Sequence, residues 1–146
     1  MFDRRYAAAV QFTEIIPEEV IDHWRDRTTQ ICMVELVATN IMFETFKFYL
    51  RSSTVLLLVD SEAVEGALVK GYSSRSDFCE LVGLFWEQAL ALSCLIYIDR
   101  NPTDANCSDY PSRNKLKIGE AVGWQTVSAR WPKEIKSGGR AWDART

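Results

Sequence analysis

The sequence holds a single histidine, His23, and its four cysteines, Cys32, Cys79, Cys94 and Cys107, form no Cys-x-x-Cys pair. Zinc needs thiolates or imidazoles at ligand spacing, so a zinc site is not expected. Three of the cysteines lie in apolar helix or strand patterns. They read as small, buried, reduced thiols of an intracellular protein, in cytoplasm or nucleus. No apolar run approaches the roughly 20 residues that span a bilayer. The opening Met1-Phe2-Asp3-Arg4-Arg5-Tyr6 lacks the apolar core and small-residue cleavage site of a secretion signal. No membrane partner is therefore expected. Basic excess is missing too: 17 Lys and Arg stand against 20 Asp and Glu, a net charge of −3. No global field attracts nucleic acid, although a local patch can still bind it against an acidic average. Internal repeats and low-complexity tracts are also absent from the sequence.

What is present is core material. The chain has 146 residues, 47% of them hydrophobic, with five Trp and seven Phe, which is enough for one ordinary hydrophobic core. Residues 1–132 carry that pattern, and Lys133 to Thr146, with Ser137-Gly138-Gly139 inside it, reads as a polar, disordered tail.

Taken in order, Tyr6 to Ile16 reads as a strand and Glu18 to Trp24 as a short helix after Pro17. Arg25-Asp26-Arg27-Thr28 is a charged connector. A long helix follows from Thr29 to Leu50, with Ile31, Val34, Ala38, Ile41, Met42, Thr45, Phe46 and Tyr49 as one apolar stripe. Val55 to Val59 is a five-residue apolar run, expected to be a central strand buried on both faces. A helix from Ser61 to Lys70, a polar loop from Gly71 to Ser76 and a second amphipathic helix come next. Asp77 reads as the cap of that second helix, with Glu80 completing a capping box. Leu95 to Ile98 is another strand. It leads into a loop from Asp99 to Arg113, whose length and Pro, Asn, Asp and Ser content suit a functional segment. Lys115 to Val122 is a short helix ended by Gly123, and Trp124 to Pro132 is the last ordered segment. Strands alternating with helices argue for an α/β domain with a partly parallel sheet.

Three acidic residues are candidates for chemistry. Glu35 lies at the apolar stripe, where it either meets a cation or reaches water at the stripe's edge. Asp60 ends the Val55–Val59 run, so it is either a helix cap or a ligand at a strand end. Asp109 sits in the long polar loop. Lys70, Ser73, Ser74 and Arg75 border the turn between two helices, as a solvated turn or a contact to a nucleic-acid backbone.

The helix segment Thr29-Gln30-Ile31…Glu35-Leu36, the strand end Leu57-Leu58-Val59-Asp60-Ser61-Glu62-Ala63 and the run from Pro102 to Arg113 occur in a meaningful order. In that order they resemble the ribonuclease H-like domain of retrotransposon reverse transcriptases, of the gypsy-like and tyrosine-recombinase types. The resemblance covers Tyr6 to Trp131. It implies an α/β ribonuclease H-like fold, a mixed sheet with helices on both faces. It also implies metal-dependent hydrolysis of the RNA strand of RNA–DNA hybrids, with Mg²⁺ or Mn²⁺ as cofactor. Glu35, Asp60 and Asp109 match the second, third and fourth of the family's four metal-binding carboxylates. Lys70, Ser73, Ser74, Arg75, Asn106 and Arg113 are the nucleic-acid contacts it suggests, and an upstream reverse transcriptase domain is the expected neighbour.

The sequence departs from the family at its start. The first strand, with its aspartate and hairpin, is missing, and Asp3 lacks the surrounding motif. Cys107 and Ser108 replace the common Pro-Ala before Asp109. The expectation is a truncated ribonuclease H-like fold with an exposed sheet edge and weak or lost cleavage. The alternative is a non-catalytic module that binds nucleic acid or protein on the same scaffold, through that edge or through Trp124 and Trp131.

Overall fold

The computed structural model describes residues 9–28, 30–102, 104, 113 and 115–136. The chain divides into two compact units, Ile16–Asn101 with Arg130–Thr146, and Met1–Ile15 with Pro102–Ala129.

The smaller unit contains strand β1 (Val10–Gln11) of the element order. The larger unit begins with α1 (Glu18–Ile21) and α2 (Ile31–Leu50), followed by β2 (Thr54–Val59), α3 (Glu62–Lys70), α4 (Ser76–Ala91) and β3 (Leu95–Arg100). Twenty residues without Gly or Pro let α2 run uninterrupted. Its buried face is Met33, Leu36, Val37, Asn40, Ile41 and Phe43, at three- and four-residue steps. This corrects the expected stripe, because Ile31 and Tyr49 are 62% and 52% exposed. Apolar residues surround this helix, so periodicity alone does not choose the inward face. Packing against α4 chooses it: Phe43 meets Phe85 edge to face at 5.0 Å. Asn40, fully buried, donates to Leu36 O and Leu81 O and accepts from Gln88 Nε2. That network fixes the register of α2 on α4 without an orphaned polar atom on the amide.

Strands β2 and β3 pair in parallel, from Thr54 with Leu95 to Val59 with Arg100. Parallel strands need a crossover, and α3 and α4 supply it. Ser52, in the left-handed region at φ 54°, donates from its N–H to Leu92 O and sets the start of the ladder. The expectation that Val55–Val59 is buried on both faces is corrected here. Exposure alternates along both strands, with Leu56 at 65% and Tyr97 at 62% on the open side. Helices cover one face, which half-buries Val55, Leu57, Val59, Ile96 and Ile98.

Arg130 donates its N–H to Thr45 Oγ1 of α2 at 2.8 Å. Of the polar tail expected from Lys133 to Thr146, Lys133–Lys136 is helical with Ile135 buried, and Ser137 to Thr146 lie outside the described residues. In the smaller unit, α5 (Leu116–Ala121) precedes β4 (Gln125–Thr126), and β1 pairs with β4 in parallel. Gln11 is buried there and donates to Leu116 O and Thr126 Oγ1. A Cβ on Gly119 would lie 2.4 Å from Gln11 Oε1 and 2.5 Å from the Trp124 ring, so only glycine fits. The last element, α6 (Lys133–Lys136), belongs to the larger unit and buries Ile135.

The class is α/β. The described strands form two separate two-stranded parallel sheets rather than one mixed sheet with helices on both faces. β1 spans two residues, shorter than the strand expected from Tyr6 to Ile16, whose first three residues lie outside the described chain. Among the described residues no helix is long and apolar enough to cross a membrane.

Candidate metal and nucleic-acid site

The chemistry in the larger unit gathers where β2 ends and α2 begins. Asp60 follows the last residue of β2, and Glu35 stands in the second turn of α2. Asp60 does not cap α3. Ser61 does, accepting from Val64 N–H at 3.4 Å. That leaves the Asp60 carboxylate directed to another task. It faces Glu35, and the two interact by charge and by hydrogen bond.

The consequence falls on Glu35. Burial, then the Asp60 charge, then a hydrogen bond to Asp60 push its carboxyl up from 4.5 to about 7, while the Ser61 hydroxyl pulls the other way. With both groups ionised, Glu35 Oε2 is buried and lacks a hydrogen-bond partner. A carboxylate cannot donate to a carboxylate, so the bond to Asp60 exists only when one of the pair carries a proton. A half-buried oxygen pair in this state takes either a proton or a cation. Two hard carboxylates suit Mg²⁺ or Mn²⁺, and the donorless Oε2 is the atom a cation would satisfy. Among the described residues these two do not join a third His, Cys, Asp or Glu in a metal-binding group. Asp109 and Asn106 lie outside the described residues.

Cys32 connects this pair to a second feature. Its Sγ lies 3.6 Å from Ser61 Oγ. It also lines an open cavity of about 550 Å³, walled by Arg25, Asp26, Arg27, Thr28, Met33, Arg75 and Phe78. The cavity is built by an anchor fifty residues away in sequence. Asp77, 0% exposed, accepts from Arg25 N–H, Phe78 N–H and the Arg27 guanidinium. Those donors hold its carboxyl below the usual range against the burial that would raise it. Arg27 also donates to Gln30 Oε1 and Arg25 O, and Gln30 Nε2 donates to Arg25 O at 2.8 Å. The connector that looked merely charged in sequence is thus clamped to the start of α4. Asp77 is this anchor, not the capping-box residue expected, and α4 has no side-chain cap. Three arginines and one carboxylate, Asp26, line the cavity, and one of those arginines, Arg27, is paired with the buried Asp77.

Of the other contacts proposed from sequence, Arg75 is exposed and lines the cavity. Lys70 ends α3, and Ser74 is exposed on the loop between them. Ser73 accepts from Arg75 N–H at 3.2 Å. Arg113 is exposed and belongs to the smaller unit. Arg25, Arg27, Cys32 and Asp77 carry no motif, and only a long-range contact between the connector and α4 would have singled them out. Cys32, Cys79 and Cys94 are unbridged and half-buried rather than fully buried. The chain matches no family model, no curated protein and no solved structure.

Proposed function

We propose that this chain is a retroelement-derived ribonuclease H-like domain that binds RNA–DNA hybrids and a divalent cation, with weak hydrolysis of the RNA strand. The observation that carries the reading is the Glu35–Asp60 pair. One of its oxygens, Glu35 Oε2, is buried without a donor, and Ser61, whose hydroxyl bears on Glu35, contacts Cys32 in the wall of an arginine-lined cavity. A nuclease needs both parts: oxygen ligands for a cation and a cationic seat for a phosphodiester.

Glu35 and Asp60 would hold Mg²⁺ or Mn²⁺. When bound, the ion supplies charge stabilisation at the phosphate oxygens. The chain's own residues do the rest. Glu35 would hold the ion as a carboxylate, with its proton released to solvent, and the Ser61 hydroxyl favours that charged form. Arg25 and Arg75 seat a backbone phosphate, while Asp77 fixes Arg27 so that the wall keeps its shape. Two carboxylates hold one cation weakly, which is why slow turnover is the expectation, and an upstream reverse transcriptase domain remains the expected partner.

The test is a labelled RNA–DNA hybrid with the full chain, followed by anisotropy and by gel in Mn²⁺ and Mg²⁺. Binding strengthened by Mn²⁺ and weakened in Asp60→Asn, with slow cleavage of the RNA strand lost in that variant, is the expected result. Binding indifferent to metal and to both Asp60→Asn and Arg75→Ala would overturn it. A second reading, a non-catalytic interaction module, draws on the open face of β2 and β3 with exposed Leu56, Leu58, Leu95 and Tyr97. It predicts concentration-dependent self-association without metal or hybrid binding.

A further inference from the structure

The loop between α3 and α4 carries a large aromatic residue, Tyr72, that neither the core nor the cavity uses. Tyr72 is 62% exposed, and its ring makes no hydrogen bond or ring contact among the described residues. Such a residue on a surface turn is common, so exposure alone decides nothing. Its setting does more. Gly71, at φ 79°, ends α3 and turns the chain sharply. Arg75 N–H then bonds Ser73 Oγ, and Asp77, two residues later, is buried in the Arg27 pair. The turn is therefore held at both ends. Lys70 lies two residues before Tyr72, and Arg75, which walls the cavity, lies three after it.

We propose that Tyr72 is a stacking platform for an unpaired base next to the phosphate seated in the arginine cavity. The preferred ligand is then a hybrid duplex flanked by a single strand, rather than a blunt one. This rests on the nucleic-acid reading of the cavity. Three residues of chain span at most about 10 Å. Successive nucleotides rise about 3.4 Å along a strand, so a base one to three nucleotides from that phosphate lies within reach. Inside a duplex the base faces are covered by their neighbours, so a protein ring can take only an unpaired or terminal base. Stacking is tolerant of sequence because every base has a π-face. A tyrosine on a turn already fixed by Gly71 and Asp77 loses only two torsions on binding. Lys70, two residues before Tyr72 at the exposed end of α3, adds positive charge to the same turn.

The experiment measures anisotropy of two labelled RNA–DNA hybrids, one blunt and one with a single-stranded overhang, on the full chain. The wild type should bind the overhang probe about tenfold more tightly, the scale of one base stack. Tyr72→Ala should erase that preference and leave blunt-hybrid binding unchanged, while Tyr72→Phe keeps it because the ring face remains. Arg75→Ala should weaken both probes alike. An overhang preference that survives Tyr72→Ala overturns the proposal, as does equal binding of the two probes by the wild type. If blunt binding still falls in Arg75→Ala, the cavity reading stands without Tyr72. If neither probe binds, both fall together.

Discussion

Two carboxylate sites, one buried and one half-buried, lie in the same unit and behave in opposite ways. Asp77 is surrounded by donors: two backbone N–H groups and a guanidinium meet its oxygens, and its carboxyl is held below the usual range. Glu35 is pushed against another carboxylate, one of its oxygens lacks a donor, and its carboxyl is raised to about 7. The first site is finished. Its charge is neutralised by groups the fold itself supplies, so its work is to hold the connector and α4 together. The second is unfinished by the protein: one carboxylate stands against another, and a proton meets the shortfall below about pH 7. Strongly perturbed, incompletely satisfied groups in a cleft are where ligand chemistry is expected.

The contrast can be broken most severely at Asp77. Asp77→Ala removes the acceptor of three donors and leaves Arg27 without its ion-pair partner, so it should cost about 3 kcal/mol, the lower end for a broken buried pair. Thermal unfolding should show a fall of about 10 °C. A loss near zero would mean the pair is not structural. Next in size is the metal response. Mn²⁺ at ten times its Kd should raise stability by about 1.4 kcal/mol, read as a higher melting temperature, and Asp60→Asn should abolish the rise.

The pH dependences should separate the two sites by sign. Glu35 is raised in the folded state, so folding takes up a proton between its ordinary 4.5 and about 7. Stability is then full at or below pH 4.5 and falls as pH rises through 7. Asp77 is lowered, so its contribution is present above pH 3.8 and is lost as pH falls below that value. Melting curves from pH 3 to 9 should therefore show a loss on each side. Glu35→Gln should flatten only the neutral limb. In Asp60→Asn the like-charge repulsion is gone, and the metal-free chain should gain about 1 kcal/mol at pH 8, a figure reduced for the solvent that reaches a half-buried pair. The smallest effect belongs to the open strand face. Leu56→Thr should change stability by less than about 0.5 kcal/mol, because the side chain is 65% exposed.

Local chemistry made parts of this legible in the sequence. The apolar runs at Val55–Val59 and Leu95–Ile98, the Gly-ended helix before Gly71 and the order of elements all follow from periodicity and turn residues. Asp60 after the strand was legible as a position but not as a role, because a cap and a ligand occupy the same place. The structure gives the cap to Ser61 and sets the Asp60 charge on Glu35. The inward face of α2 was not legible, since apolar residues surround that helix and α4 decides which ones it covers. Nor was the bond between Arg27 and Asp77, because no rule of spacing joins residues fifty positions apart. The open face of β2 escaped for a related reason: an apolar run looks the same whether one face of the strand is covered or both.

The central claim is that the Glu35–Asp60 pair exchanges a proton for a divalent cation. Carboxyl carbon NMR of Glu35, titrated with pH in the absence and presence of Mg²⁺, tests it most directly, with Asp60→Asn as the reference. The account predicts a midpoint near 7 without the ion. Millimolar Mg²⁺ should lower it by about one unit or more, and Asp60→Asn should bring it toward the ordinary glutamate range without any response to the ion. A midpoint already at about 4.5 in the metal-free chain, unmoved by Mg²⁺, would contradict it.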